Sequence, residues 1–578
     1  MAHNAAAYTD RLLDISNGHE HRIRLFELDP GPSCPTTSTT NGFSVSGRLL
    51  TCKLVDCPPY LALSYSWGLQ PTLVPFVVGT HQDFLISFDL HYALRNLRHE
   101  HQPRYVWIDT ICINQLDVPE RNNQVRLMRD VYTHAKSVCI WLGMPPSSAG
   151  DFTGAQIQDI GYDVVQHIVS KADRNWWRRR WVVQEVATTA EPVILIGSLW
   201  LDFNPFIYHC IDHHMRLGPS DADLETVKEI LAFSMLMITR TSFRRSLEGP
   251  DTLGLSFLLS MTVELHASEP HDAIYAVLGL IGDEAKQAIR VDYGMSFIDL
   301  YAEITQLLVE ASSWGSAFPL DVVIDDCWRR LFLAEPSWIL DFSQTSTHSG
   351  LWGRSDDHFN SPIMLEPDAG VRANDNTFTQ GVRLSKLRDL VSQAGITMCG
   401  GHAIVKSANE NELRASFNKD LRMMTCSGLV LGVIRNIIPV REHLLSATTE
   451  SQRATVDERA IIIKLQCSAF RLTIALRQFE DLHSSSVCDV DEMAVFVTTD
   501  GAIGMCYSTM NDGRPGFDMR SPVLDQVVCL YGARSPVLIR PLPGEHFCLL
   551  VPCMFMRDCE CYVGQPHSAG AFQRMTFV

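Results

Sequence analysis

The chain has 578 residues, 46% of them hydrophobic and 20% charged. That is too long for a single core and too apolar for a disordered chain, and it predicts two to four globular domains. A formal net charge of −18 gives a surface that repels phosphate backbones and anionic lipid, so nucleic acid is not an expected partner.

From the start, Met1 to Leu13 place no basic segment ahead of an apolar one, and no secretory signal is expected. Residues 1–56 read as an N-terminal extension, with a loop or linker rich in Pro, Thr, Ser and Gly over 30–47. Tyr60 to Trp67 nearly alternate apolar and polar and predict a strand that ends at Gly68. Asp89 is placed to cap a helix whose Leu90, Ala93, Leu94 and Leu97 share one face. Tyr105–Asp109 reads as a buried strand with a carboxylate at its end. Asp117 and Glu120, three apart with Pro119 in the first turn, resemble a capping box ahead of a helix with Val125, Met128, Tyr132 and Ala135 inward.

Val138–Leu142 is the next buried strand, so strand, helix and strand form a βαβ unit with parallel pairing. After a polar linker from Pro145 to Gln156 come a helix over Trp176–Val186 and a strand over Val193–Ile196. Residues 57–200 thus predict an α/β domain with a mostly parallel sheet. Residues 201–342 look mainly helical, most clearly from Phe297 to Ala311 behind a Ser296 cap. Residues 343–424 form a loop-rich connector. Residues 425–578 mix a helix pattern over 461–479 with strand patterns at Val495–Thr499 and Val527–Tyr531. The most apolar stretch, near Ile230–Ile238, is too short to span a bilayer. A cytoplasmic, or nuclear, protein without a membrane span is expected.

The 17 cysteines are scattered, and the closest pairs, Cys52/Cys57 and Cys559/Cys561, lack zinc-site spacing, which predicts reduced thiols. His209 and His213 sit at i,i+4 without a third ligand, and His99 and His101 at i,i+2, so all read as structural or surface histidines and no metal is expected. P-loop, GxGxxG, HExxH and GxSxG motifs are absent.

Three polar–aromatic blocks are present: ALSYSWG at 62–68, WIDTICINQLDVPERNNQVRLMRDVYTHA at 107–135 and RRWVVQE at 179–185. In order and spacing they resemble the three signature segments of the fungal heterokaryon incompatibility (HET) domain, with Thr110 where Ala is usual. Glu269–Leu280 is similar to a further segment of the longer members, with His271 and Ala273 in place of charged residues, and Val291–Tyr293, Pro336–Trp338 and Val523–Asp525 fit the same pattern.

The resemblance implies a TIR-like, flavodoxin-like fold. It also implies a role in non-self recognition and cell death, with the domain as an effector that associates with itself or with another incompatibility protein. Two alternatives stand beside that role. One is an NAD(P)-glycohydrolase-type enzyme with NAD as substrate and no other cofactor, since some TIR domains cleave NAD with one glutamate. The other is a non-catalytic scaffold.

On the enzymatic reading Glu185 is the candidate catalytic carboxylate and Asp109 its companion. Asp109, Glu120, Arg179 and Glu185 would then supply the polar part of one cleft at the carboxyl ends of the strands. Ser64, Trp67, Gly68, Asn114, Gln115, Trp181 and Gln184 complete the candidate ligand or motif set, with Trp67 or Trp181 stacking on a ring. On the plain reading Glu120 only caps a helix, Asp109 only braces a loop, and the tryptophans at 67, 107, 141 and 181 are core. Arg178 and Arg180 read as a solvated face.

Overall fold

A computed structural model describes residues 7–8, 13, 21–31, 45–68, 72–144, 174–189, 191–208, 236–247, 254–255, 258–259, 262, 265–310, 338–342, 416–418, 422–439, 493–499, 503–507, 525–530, 537–556 and 573–578. The polar linker over 145–156, His209 and His213, the loop-rich segment over 343–415 and the helix pattern over 461–479 lie outside them. The chain divides into two units, Met1–Ser296 and Phe297–Val578.

The first unit is built on nine strands: β1 (Arg22–Leu28), β2 (Ser46–Lys53), β3 (Leu61–Ser64), β4 (Leu73–Val78), β5 (His81–Ser87), β6 (Arg104–Trp107), β7 (Ser137–Trp141), β8 (Pro192–Ile196) and β9 (Leu199–Asp202). They lie in the order β5-β4-β2-β1-β6-β3-β7-β8-β9. The sheet is mixed rather than mostly parallel. β1 pairs antiparallel with β2 and β6, β4 with β5, and β8 with β9. The reason is local for two of these pairs: Gly79 (φ 60°) and Gly197 (φ 55°) supply the left-handed residue of tight turns, and strands joined by so short a turn must run antiparallel.

At the centre β6, β3, β7 and β8 are parallel neighbours. Numbered among themselves in chain order they run 2-1-3-4, an order in which ligands sit outside the carboxyl ends of the strands. The expected βαβ unit therefore needs correction: β6 and β7 point the same way, but β3 lies between them. The helix-bearing crossover of about thirty residues is long enough to step over one strand. β1 and β2 fall in the segment read as an extension, and β1 pairs with β6 at the middle of the sheet.

Helix α1 (Phe88–Leu97) buries Leu90, Ala93, Leu94 and Leu97 as its periodicity requires. Its cap is Ser87, whose hydroxyl accepts the Leu90 N–H at 3.1 Å, and Asp89 sits in the first turn instead. A short turn, α2 (Asp109–Cys112), follows β6 directly. Helix α3 (Val118–His134) is capped by Asp117, which accepts the Glu120 N–H at 3.0 Å. Its buried face is Glu120, Gln124, Leu127, Met128, Val131 and Tyr132, so the helix is turned from the predicted face and Val125 and Ala135 are only half-buried. Two polar side chains went inward because each finds a partner there.

The predicted helix over Trp176–Val186 is broken into α4 (Arg174–Trp177) and α5 (Trp181–Thr188). The chain at Arg178–Arg180 bonds instead to His266, Arg180 N–H to its carbonyl at 2.9 Å and its N–H to Arg178 C=O at 2.5 Å. Cys52 and Cys57 form a disulfide, which corrects the reduced-thiol expectation at this pair. A 3-10 turn, Leu54–Asp56, folds the chain back and sets their Cα atoms 5.6 Å apart, within disulfide reach. Cys112, Cys139, Cys426 and Cys548 are free.

The second unit opens with a helix, Phe297–Glu310, that buries Leu300, Tyr301, Ile304 and Leu308. Eight strands follow: β10 (Ser416–Phe417), β11 (Met424–Pro439), β12 (Met493–Thr498), β13 (Ile503–Tyr507), β14 (Gln526–Leu530), β15 (Val537–Leu542), β16 (His546–Met556) and β17 (Gln573–Phe577). Their order is β10-β11-β12-β13-β16-β15-β14, and β14 pairs back onto β11. From β11 to β14 the pairings thereby close into a ring, with β10 outside it. β11 pairs with β10 and β17 near its start, with β14 over its middle and with β12 towards its end, and its register shifts at Val430/Gly432 and Ile434/Asn436.

Candidate functional site

The register of the central strands builds the site. Ala62 lies beside Trp107, so two residues further on Ser64 and Asp109 stand level at the carboxyl edge of β3 and β6. β3 ends at Ser64 and the chain turns away at Gly68, whose φ of 72° suits glycine. The gap between α4 and α5 puts Arg179 at the same edge.

Around that edge Asp109, Arg179 and Glu185 gather. The Ser64 hydroxyl donates to the Glu185 carboxylate and accepts the Trp176 indole N–H at 2.8 Å. Arg179 lies 3.7 Å from the other Glu185 oxygen and donates to the Tyr65 carbonyl. The Trp67 indole N–H donates to Asp109 at 3.1 Å, and the Thr110 N–H donates to the same carboxylate at 2.7 Å. Gln115 Nε2 holds the Asp109 carbonyl at 3.1 Å.

Burial pushes the Asp109 carboxyl up to about 6; Arg179 pulls it back down while Glu185 adds to the rise. Burial also raises Glu185, against the opposing pull of Arg179 and the Ser64 hydrogen bond. For Arg179 burial works against the charge, but the Glu185 and Asp109 carboxylates outweigh it and hold the guanidinium protonated. The arrangement is two carboxyls sharing one fixed cation, with one carboxyl poised near neutrality.

Glu120 stands elsewhere. It forms a bidentate pair with Arg24 of β1 at 2.5 and 2.9 Å and accepts the Asn114 N–H at 2.7 Å. Arg24 also donates to the Cys112 carbonyl at 3.1 Å and lies 5.0 Å from the Tyr8 ring centroid. The cap of α3 is therefore Asp117 alone. Glu120 does not reach back as a capping box would, because the buried Arg24 claims both its oxygens.

Gln184 and Trp181 turn the other way. Gln184 accepts the Gly279 N–H at 3.0 Å, and Trp181 hydrogen-bonds Asp272. Asp272 also accepts the Tyr293 hydroxyl at 2.5 Å, and Arg121 lies 3.7 Å from the Tyr293 ring centroid. Arg180 is 2% exposed and donates to the Ala273 carbonyl at 3.0 Å, so it is no solvated face. Trp107 and Trp141 are core. The second and third blocks thus pack onto the segment over 269–293 through their polar residues.

The residues missed by sequence reasoning are Arg24, Tyr8, Trp176 and Thr110. Arg24 left one signal, a charged residue inside the apolar run Arg22–Leu28. Among the described residues no group of three His, Cys, Asp or Glu is placed to hold a metal, and no helix is long and apolar enough to cross a membrane.

The mixed α/β unit thus brings one or two residues of each block, Ser64, Asp109, Arg179 and Glu185, to one sheet edge. Residues 60–185 match the family model for heterokaryon incompatibility protein (HET), and the chain is a HET domain-containing protein. It is also similar to heterokaryon incompatibility protein 6, OR allele, of Neurospora crassa, with 26% identity over 364 residues. That alignment covers 51% of this chain and 52% of the relative, so the chain spans about half the length of the curated relative it matches. No solved structure matches the chain.

Proposed function

We propose that this chain acts in fungal heterokaryon incompatibility, with its HET domain as a self-associating effector of cell death. The observation that carries the reading is the 364-residue similarity to an incompatibility protein, which extends well past the family segment itself. Self-association is supported by the end of the sheet. β9 is an outer strand with Trp200 42% exposed, and Tyr208 just beyond it is 62% exposed. The partner is a second copy or another incompatibility protein, met in the cytoplasm.

The test is expression of the full chain in fungal cells, alone and with a partner allele, while viability is followed. Sedimentation of the purified chain at rising concentration runs beside it. Death on co-expression and a mass that grows with concentration are expected. Full viability with folded protein present, or a monomer at every concentration, overturns the respective half of the proposal.

A second reading rests on Asp109, Arg179 and Glu185 meeting at the carboxyl edge of a 2-1-3-4 parallel block. That arrangement supports a TIR-like site which cleaves NAD, Glu185 stabilising the positive charge that develops on the ribose. Nicotinamide release from NAD, lost in Glu185→Gln, is the expected result. NAD left intact at all protein concentrations sinks it. The Glu185 side chain is 3% exposed and already paired, which favours the non-catalytic reading.

A further inference from the structure

Beside this cluster a partly open pocket of about 90 Å³ lies at the carboxyl edge of β3 and β6. Tyr8, Tyr65, Trp67, Leu90 of α1, Asn114 and Gln115 are among the residues that line it. Among the described residues no lining side chain is ionisable to a charge near neutral pH.

The three rings are held by their polar tips. Tyr8 donates to the Ile111 carbonyl at 3.2 Å, Tyr65 shares a hydrogen bond of 2.7 Å with Thr110, and the Trp67 N–H is spent on Asp109. What they offer the pocket is flat apolar surface, fixed in advance.

Each carboxamide is half committed. Asn114 Oδ1 accepts the Leu116 N–H at 3.3 Å, which leaves its NH2 group. Gln115 Nε2 is bound to the Asp109 carbonyl, which leaves its oxygen. Among the described residues neither remaining group has a partner. Two neighbouring lining residues thus keep one donor, on Asn114, and one acceptor, on Gln115, and the committed halves fix which is which.

We infer that this pocket is a binding site for a small, flat, uncharged ligand that carries an amide-type edge, an acceptor beside a donor. Aromatic carboxamides and the lactam face of a purine base both have it. The rings select flatness and the absence of charged lining selects neutrality. A carboxylate ligand would also meet Asp109 directly behind Trp67.

The test uses the full chain and ligand-observed saturation-transfer NMR, with benzamide and hypoxanthine as probes against acetophenone and benzoate. Saturable binding of at least one amide probe is expected, and which one binds separates the carboxamide from the lactam source. Acetophenone, which cannot satisfy the Gln115 oxygen, should bind about tenfold or more weakly than benzamide, and benzoate should not bind. Asn114→Asp keeps the oxygen that holds Leu116 but removes the donor, and should weaken the amide probes about tenfold. Amide and ketone binding alike, neither amide probe binding the folded chain, or Asn114→Asp with unchanged affinity would each overturn the inference. The probe comparison on the unaltered chain stands even if the variant does not fold.

Discussion

Replacing Glu120 by Gln keeps the size of the side chain and removes its charge. In the folded chain Glu120 and Arg24 are 4% and 0% exposed at the side chain and share two charge-assisted hydrogen bonds. Gln retains one oxygen, enough for the Asn114 N–H, but the guanidinium is left buried without its counter-charge. Breaking a buried pair from one side costs about 3–5 kcal/mol, and the bonds Arg24 keeps to the Cys112 carbonyl and Tyr8 place Glu120→Gln near the lower end of that range. The double variant Arg24→Met/Glu120→Leu should recover much of the loss, since it removes both desolvated ions at once. Urea unfolding of the full chain, with hydrogen exchange on β1 and α3 as a local readout, measures both. A cost below about 1 kcal/mol for Glu120→Gln, or strict additivity in the double variant, would refute the view that this pair locks β1 to α3.

Asp109 gives a pH prediction. Its carboxyl is raised to about 6 from an ordinary 3.8, so the folded state holds the proton longer than the unfolded one. Stability contributed by this group is full below about 4 and is lost as pH rises to about 6, up to about 3 kcal/mol in all. Asp109→Asn should flatten that slope, and stability that rises with pH in the same window through Asp109 would contradict it. Gly279→Ala would drive a Cβ into the Gln184 carboxamide and to 2.9 Å from Arg129 Cβ, so a loss of about 1–3 kcal/mol is expected, partly returned by Gln184→Ala in the same chain. Reduction of the Cys52–Cys57 disulfide frees a loop with a sequence separation of only 5 and should cost about 2 kcal/mol by the loop-entropy rule. Thermal unfolding with and without a dithiol measures it.

The strands around the site were legible because they are short apolar runs, β3, β7 and β8 with a Gly shortly after and β6 with Pro103 just before, and α1 because its period is clean. The placement of Ser64 and Asp109 at one edge followed from Ser64 ending β3 and Asp109 lying two residues past the end of β6. Three things were not legible for one reason, that a distant segment supplies the partner of a polar side chain or of the backbone. Glu120 read as a cap because its partner Arg24 lies 96 residues away. Gln184 read as a site residue because nothing local shows Gly279. The break at Arg178–Arg180 was hidden because the helix period continues across it, and only the pairing with His266 interrupts it.

The position of β1 bears on what can be excised. The signature blocks begin at residue 60, yet Phe26, Glu27 and Leu28 are the backbone partners of Val106, Tyr105 and Arg104. A fragment cut at the edge of the family segment would expose one side of β6 as a raw, aggregation-prone margin and orphan the Glu120 charge. Homology marks out the part of this module that evolution keeps recognisable. The part that must travel together in a shuffled or truncated gene reaches back at least to Arg22, through a strand that no signature contains.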